Sequence, residues 1–204
     1  MLILKTILKM EAGQFNIETA FLYGDLEEEL YMELPDGYIE YIKELNNNGN
    51  KNEIPTQGNI KTDDINKTTH CLVLKKAIYR LVQAARQWWK KFKEVLNKLG
   101  YKSSLAEPCL FVKDGDKKSF IMIYVDDGGI FSNDNNIKEV LDGLSKIFTV
   151  KYLGKMETFL GFKIIEYKER DTIWIHQPKL INNLKKVFNK YIENIRQHST
   201  PEAP

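Results

Sequence analysis

Cysteine is scarce in this chain: Cys71 and Cys109 are the only two in 204 residues, and no CxxC occurs. That excludes a disulfide framework and a cysteine zinc site, and both thiols read as small buried side chains. The three histidines, His70, His176 and His198, are scattered without metal-ligand spacing and read as structural or solvated. Long apolar runs are missing too. The longest is strand-sized, far short of a membrane span. The opening "MLILKTILKM" is broken by Lys5 and Lys9, unlike the unbroken apolar core of a signal peptide, so an intracellular protein is expected. Net charge is only +2, which excludes a polycation. The charge is nevertheless segregated. Residues 25–40 hold seven acids and no base, whereas residues 75–98 hold eight bases and one acid. A local basic helix matters more to a polyanion than the total does.

What is present reads as alternating hairpins and helices. Leu4, Ile7 and Leu8 have helical spacing, with Gly13 as a stop. Phe15, Ile17, Thr19 and Phe21 alternate as in a strand. "LYMELPDGY" holds a short strand and a Pro-Asp-Gly turn. Asn46 to Thr69 is rich in Asn, Thr, Lys and Gly. It cannot bury enough apolar area to offset its ordering entropy, and reads as a flexible insertion loop. Trp88, Phe92, Val95, Leu96 and Leu99 mark an amphipathic helix ended by Gly100. "CLFVK" is a strand, and "SFIMIYVDDGGIFSN" a hairpin with an Asp-Gly turn. Ile137 to Phe148 form another helix, and "FLGFKIIEY" with "TIWIHQ" a second hairpin. Pro178 opens a last helix, with Leu180, Ile181, Leu184, Val187, Phe188 and Ile192 expected to face inward. The fold class is α+β, an antiparallel sheet with helices on one side.

The paired aspartates, Asp126 and Asp127, end a buried-looking strand. Two readings stand on pattern alone. Asp and Gly favour solvated turns for local reasons. Alternatively, a tight turn aims both carboxylates at one cation, since magnesium takes hard oxygen ligands and phosphoryl-transfer sites hold it through a few carboxylates.

"YVDD" closing an apolar strand resembles the catalytic box of reverse transcriptases, and the rest of the chain resembles the copia type from long-terminal-repeat retrotransposons. "ETAFLYGDLEEELYMELPDGY" is similar to that family's "KTAFLNG…EEIYMEQPEGF", and "LKKAIYRLVQAARQWWKKF" to "LKKALYGLKQAPRQWYKKF". "LAEPCLFVK", "YLGKMETFLGFKI" and the closing "STPEAP" have counterparts in the same order. The resemblance implies a polymerase palm with part of the fingers and the start of the thumb, copying RNA into DNA with Mg2+. Its partners would be an RNA or DNA template–primer and deoxynucleotides, with no membrane; it says nothing of oligomeric state. It assigns metal binding to Asp126 and Asp127, and places Tyr124 and Val125 beside the primer end and nucleotide. Phe21 would exclude a ribose 2′-hydroxyl and Gln83 would line the nucleotide pocket. Phe159, Leu160, Gly161 and Phe162 would hold the primer strand. Arg86, Lys90, Lys91 and Lys93 would face phosphates.

The sequence departs from the family at a decisive place. The first catalytic aspartate belongs in "QMDVKTAFL", and the position here is Asn16. Glu18 is two residues further along, about 6.6 Å by strand rise, too far to substitute. Where the family has Gly-x-Lys and then Pro, this chain has Arg80, Val82 and Ala85, and Arg80 needs a backbone that glycine adopts readily. The resemblance thus implies a domain over 1–204 that is truncated at the fingers, stops before the connection and ribonuclease H regions, and is catalytically impaired. The competing expectation is a non-catalytic nucleic-acid-binding or interaction protein that keeps the palm.

Overall fold

The computed structural model describes residues 1–47, 65–167, 169 and 171–192. Along the chain come helix α1 (Leu2–Ile7), strand β1 (Glu11–Ile17), a 3-10 turn (Ala20–Tyr23), β2 (Asp25–Glu33), α2 (Tyr38–Asn47) and β3 (Cys71–Lys76). Then follow α3 (Ala84–Lys98), β4 (Lys102–Ser103), β5 (Leu110–Lys113), β6 (Ser119–Tyr124), β7 (Asp127–Ser132) and α4 (Asp134–Ser145). The last elements are β8 (Val150–Lys155), β9 (Thr158–Phe159), β10 (Phe162–Tyr167), β11 (Thr172–His176) and α5 (Pro178–Ile192). The chain divides into two compact units, one of Met1–Glu18 with Lys93 onward and one of Thr19–Phe92.

The first unit is built on a six-stranded sheet in the order β4-β5-β6-β7-β1-β8, with antiparallel pairing throughout. Period-two alternation gives it two apolar faces. On one, Ile121 and Ile130 are paired in register and fully buried, and α4 comes close enough that a side chain at Gly13 would meet Ile137. On the other, Ala12, Phe120 and Phe131 join Met10, Met156 and Phe159 in one cluster. A three-stranded sheet, β11-β10-β9, belongs to the same unit. The second unit pairs β2 with β3 antiparallel and packs Leu34, Ile42 and Ile65 together.

Several expectations are corrected. The first helix stops at Ile7 rather than Gly13, because Lys9 takes φ +52 and turns the chain; Gly13 lies inside β1. The first strand ends at Ile17. Thr19 is left-handed and Phe21 sits in the 3-10 turn, so alternation does not extend that far and Glu18 is not a strand neighbour of Asn16. The apolar side of α5 does not face inward: Leu180, Ile181, Leu184, Val187 and Phe188 are all exposed. Cys71 is exposed and Cys109 half-buried. Of the loop expected over 46–69, residues 48–64 lie outside the described residues. At its margins α2 runs through Asn47, and Ile65 is buried against Leu34 and Ile42. Among the described residues, no helix is long and apolar enough to cross a membrane.

Candidate active site

The aspartates lie on the hairpin between β6 and β7. Tyr124 and Asp127 pair across it, so the two loop residues are Val125 and Asp126, and the expected Asp-Gly turn is displaced. Val125 has φ +57 and Asp126 does not share the positive sign, the sign pattern of a type II′ turn, whose first position normally calls for glycine. A β-branched residue there is an outlier. Gly128 and Gly129 belong to β7 instead. A Cβ on Gly128 would come within 2.0 Å of the Phe15 ring, and Phe15 is completely buried. The glycine next to the aspartates is therefore required by close approach of an aromatic ring.

Asn16 lies directly opposite Asp127 in the β1–β7 register, and its Nδ2 donates to Asp127 Oδ1 at 3.2 Å. The Ile17 amide donates to the Asp126 carbonyl at 2.8 Å, tying the turn to β1. A β-bulge between Gln14 and Phe15, on the β8 side, re-aims the end of β1. Asn16, Asp126 and Asp127 are all half-buried. Two carboxylates fit one magnesium ion whose other ligands are water and substrate phosphates. They do not fit a bridged ion pair. Among the described residues no group of three or more His, Cys, Asp or Glu is placed to hold a metal. An ion shared with Asn16 requires the amide to turn, so that Oδ1 rather than Nδ2 faces in. Tyr124, the last residue of β6, is 60% exposed.

The segment Phe159–Phe162 is also a two-residue hairpin. Phe159 pairs with Phe162, and Leu160 and Gly161 both have positive φ, +49 and +82, as a type I′ turn demands. Phe159 is buried, while Leu160 and Phe162 project into solvent.

The remaining candidates lie in the second unit. The Phe21 ring meets Tyr79 edge-on at 4.5 Å between centroids. Gln83 Nε2 donates to Glu28 Oε1 at 2.8 Å. Neither partner carries a sequence signal; only the register of β2 with β3 and the turn before α3 bring them in. Arg80 has φ +75, the left-handed conformation that glycine adopts readily, as the sequence resemblance implies. The segregated charges meet here: Lys90 pairs with Glu27 and Lys76 with Asp25. A hydrogen bond from Lys90 is the main reason the Glu27 carboxyl is held below its ordinary pKa, with Gln87 and the charge of Arg86 adding to it. Lys90 therefore already has a carboxylate partner. Arg86 is exposed and Lys91 half-buried.

A family model described as reverse transcriptase (RNA-dependent DNA polymerase) matches residues 45–202. The chain belongs to the reverse transcriptase family. Within it the chain is similar to copia-type Pol polyproteins. It is 34% identical over 199 residues to the retrovirus-related Pol polyprotein from transposon TNT 1-94 of Nicotiana tabacum, covering 96% of this chain and 13% of that polyprotein. To the retrovirus-related Pol polyprotein from transposon RE1 of Arabidopsis thaliana it is 30% identical, covering 94% of this chain and 11% of the other. The putative transposon Ty5-1 protein of Saccharomyces cerevisiae is 25% identical over 76% of this chain and 44% of its own length. The chain thus spans about an eighth of these plant polyproteins. No solved structure matches it significantly. Reverse transcriptases use divalent metal ions.

Proposed function

We propose that this chain is the palm of a copia-type reverse transcriptase, with part of the fingers and the start of the thumb, and that it polymerises DNA weakly because Asn16 replaces a metal-binding aspartate. Its substrates are an RNA or DNA template–primer and deoxynucleotides. In the reaction the primer 3′-hydroxyl oxygen bonds to the α-phosphorus of the nucleotide, the hydroxyl proton is lost, and pyrophosphate leaves. Asp126 and Asp127 would hold a magnesium ion, which would supply Lewis-acid stabilisation of the charge that develops on the phosphate oxygens. The chain's own part is positioning. Asp126 and Asp127 present carboxylates from a hairpin pinned to β1. Phe21, braced by Tyr79, closes the space beside the sugar. Gln83, held by Glu28, lines the nucleotide pocket. Phe159–Phe162 grip the primer, and Arg86 and Lys91 meet phosphates, with Lys90 shared with Glu27.

The observation that carries this reading is the contact between Asn16 and Asp127. It joins the strand and hairpin that the family's catalytic residues occupy, and supplies an amide where a third charge belongs. Losing a preorganised charge from such a site costs roughly 10²–10³-fold in rate. The test combines filter binding to an annealed template–primer with primer extension in magnesium and a divalent-ion titration. Binding is expected to be salt-sensitive, with extension near background. Asn16→Asp should tighten Mn2+ binding about tenfold or more, and Asp127→Asn should weaken it. Robust extension by the unmodified chain overturns the impairment. Failure to bind template–primer overturns the polymerase reading, whereas binding without extension by any variant favours a nucleic-acid-binding protein.

A further inference from the structure

The hairpin β10–β11 turns one face toward α1, although Ile175 there is 52% exposed, and leaves the other largely open. Ile164, Ile173 and Ile175 line cavities with Leu2, Ile3 and Ile7 of α1, so that side is turned to the body of the unit. The opposite side carries three cross-strand pairs in register: Lys163 with His176, Ile165 with Trp174, and Tyr167 with Thr172. Trp174 is 61% exposed and Tyr167 is 44% exposed. Their rings meet edge to face, 6.1 Å between centroids at 71°. Edge contact holds the indole upright without covering it.

We propose that this open face is a stacking platform for unpaired bases of the nucleic acid strand. The proposal rests on the polymerase reading and extends it to residues that reading leaves unused. Three features select a single strand as the occupant. First, an exposed indole and phenol supply π-faces that every base can stack on. Second, the one charged strand residue on the face other than a histidine is basic, although the turn beyond Tyr167 also carries Glu169 and Asp171. Lys163 lies on the face, while the strand carboxylate, Glu166, is on the other side and bound by Lys5 and Lys155. Helix α5 follows directly with four lysines and no acid, which suits a polyanion. Third, β10 begins at Phe162, in the hairpin proposed to hold the primer, and Tyr167 is the other end of the same strand, about 17 Å on. A strand leaving that hairpin along β10 passes Lys163 and reaches the two rings.

The intrinsic fluorescence of the protein supplies the test. Trp174 is exposed, Trp89 half-buried and Trp88 only 3% exposed, so a base stacked on Trp174 quenches the most accessible part of the emission, and the Trp174 variants separate that signal from any change at Trp89. The probes are a short oligo(dT), a template–primer with a single-stranded overhang, and a blunt duplex of the same length. Trp174→Leu should abolish the oligo(dT)-dependent quenching and weaken oligo(dT) binding roughly 5- to 100-fold. Trp174→Phe should keep most of the affinity. Lys163→Gln should lower the salt slope by about 0.7. Blunt-duplex binding should not change. Thermal unfolding of each variant should match the parent, because these side chains are exposed. Unchanged oligo(dT) affinity in Trp174→Leu overturns the platform while leaving the polymerase reading intact, provided that the template–primer still binds. Equal loss on the blunt duplex also overturns it, since stacking on free bases would not be the cause. No binding to any of the three probes overturns both.

Discussion

Val125 holds φ +57 at the turn that carries Asp126, a conformation that costs an L-residue about 1–2 kcal/mol. Strain of this kind persists only where neighbours over-determine it, and it clusters at functional sites. Here the pairing of Tyr124 with Asp127 and the bond from Ile17 to Asp126 do so. Val125→Gly should raise stability by about 0.5–1 kcal/mol, read as a higher denaturant midpoint with unchanged slope. A lower midpoint would show that the valine side chain contributes more by contact than it loses by strain. Gly128→Ala should act oppositely, by about 3 kcal/mol, because the buried Phe15 ring has no room to give. The contrast shows what local sequence reveals. The family resemblance marks Arg80 as a residue in a glycine's place, and it does have φ +75. Two glycines after two aspartates read as a turn, yet they are strand residues. The reason for Gly128 is a ring from β1, more than a hundred positions away, and for Gly129 it is the Met156 side chain; no local pattern records either.

At the scale of elements, α3 and α5 carry the same kind of apolar periodicity and meet different fates. In α3, Trp88, Phe92, Val95 and Leu96 are buried as their spacing predicts. In α5, Leu184 is 47% and Phe188 49% exposed. Periodicity states which side chains share a face, but not whether anything covers it, so the helix was legible and its burial was not. The strands on either side of the aspartates were legible because an apolar run bounded by turn residues has few alternatives. Strand β8 was missed because it is largely exposed, and helix α2, although Tyr38, Ile42 and Leu45 share one face, because a Pro-Asp-Gly turn before it and an Asn-rich stretch after it mask the pattern. A mutational consequence follows from burial. Leu96→Ala should cost about 3 kcal/mol, whereas Leu184→Ala should cost less than about 1 kcal/mol, measured by chemical denaturation. Comparable losses at the two sites would mean that the α5 face is covered in solution.

For the molecule as a whole, net charge conceals where charges are committed. The acids of β2 answer the bases of α3 and β3 at exposed pairs, each worth little. The pairing that bears on global stability is buried. Glu166 on β10 accepts from Lys5 of α1 at 2.5 Å and from Lys155 of β8 at 3.0 Å. The Lys5 side chain is only 5% exposed and that of Glu166 19%. Burial pushes the Glu166 carboxyl up, but the hydrogen bonds and charges of Lys5 and Lys155 outweigh it and hold the group below its ordinary pKa. A carboxyl whose pKa is depressed by folding stabilises the fold above its unfolded value of roughly 4.3, and that contribution disappears as pH falls through the folded value. Glu166→Gln should therefore destabilise by about 3 kcal/mol at neutral pH, largely by leaving Lys5 charged, buried and without its carboxylate. The gap between variant and parent should narrow steadily below about pH 4, because the parent loses there what the variant already lacks. Exchanging both buried partners for apolar residues, Lys5→Met with Glu166→Leu, should recover most of the loss. Urea unfolding of the three proteins at neutral pH and near pH 3 decides it. A gap that stays constant with pH, or a double variant no better than Glu166→Gln, would mean that packing of the Glu166 side chain, and not its charge, joins α1 to the hairpin.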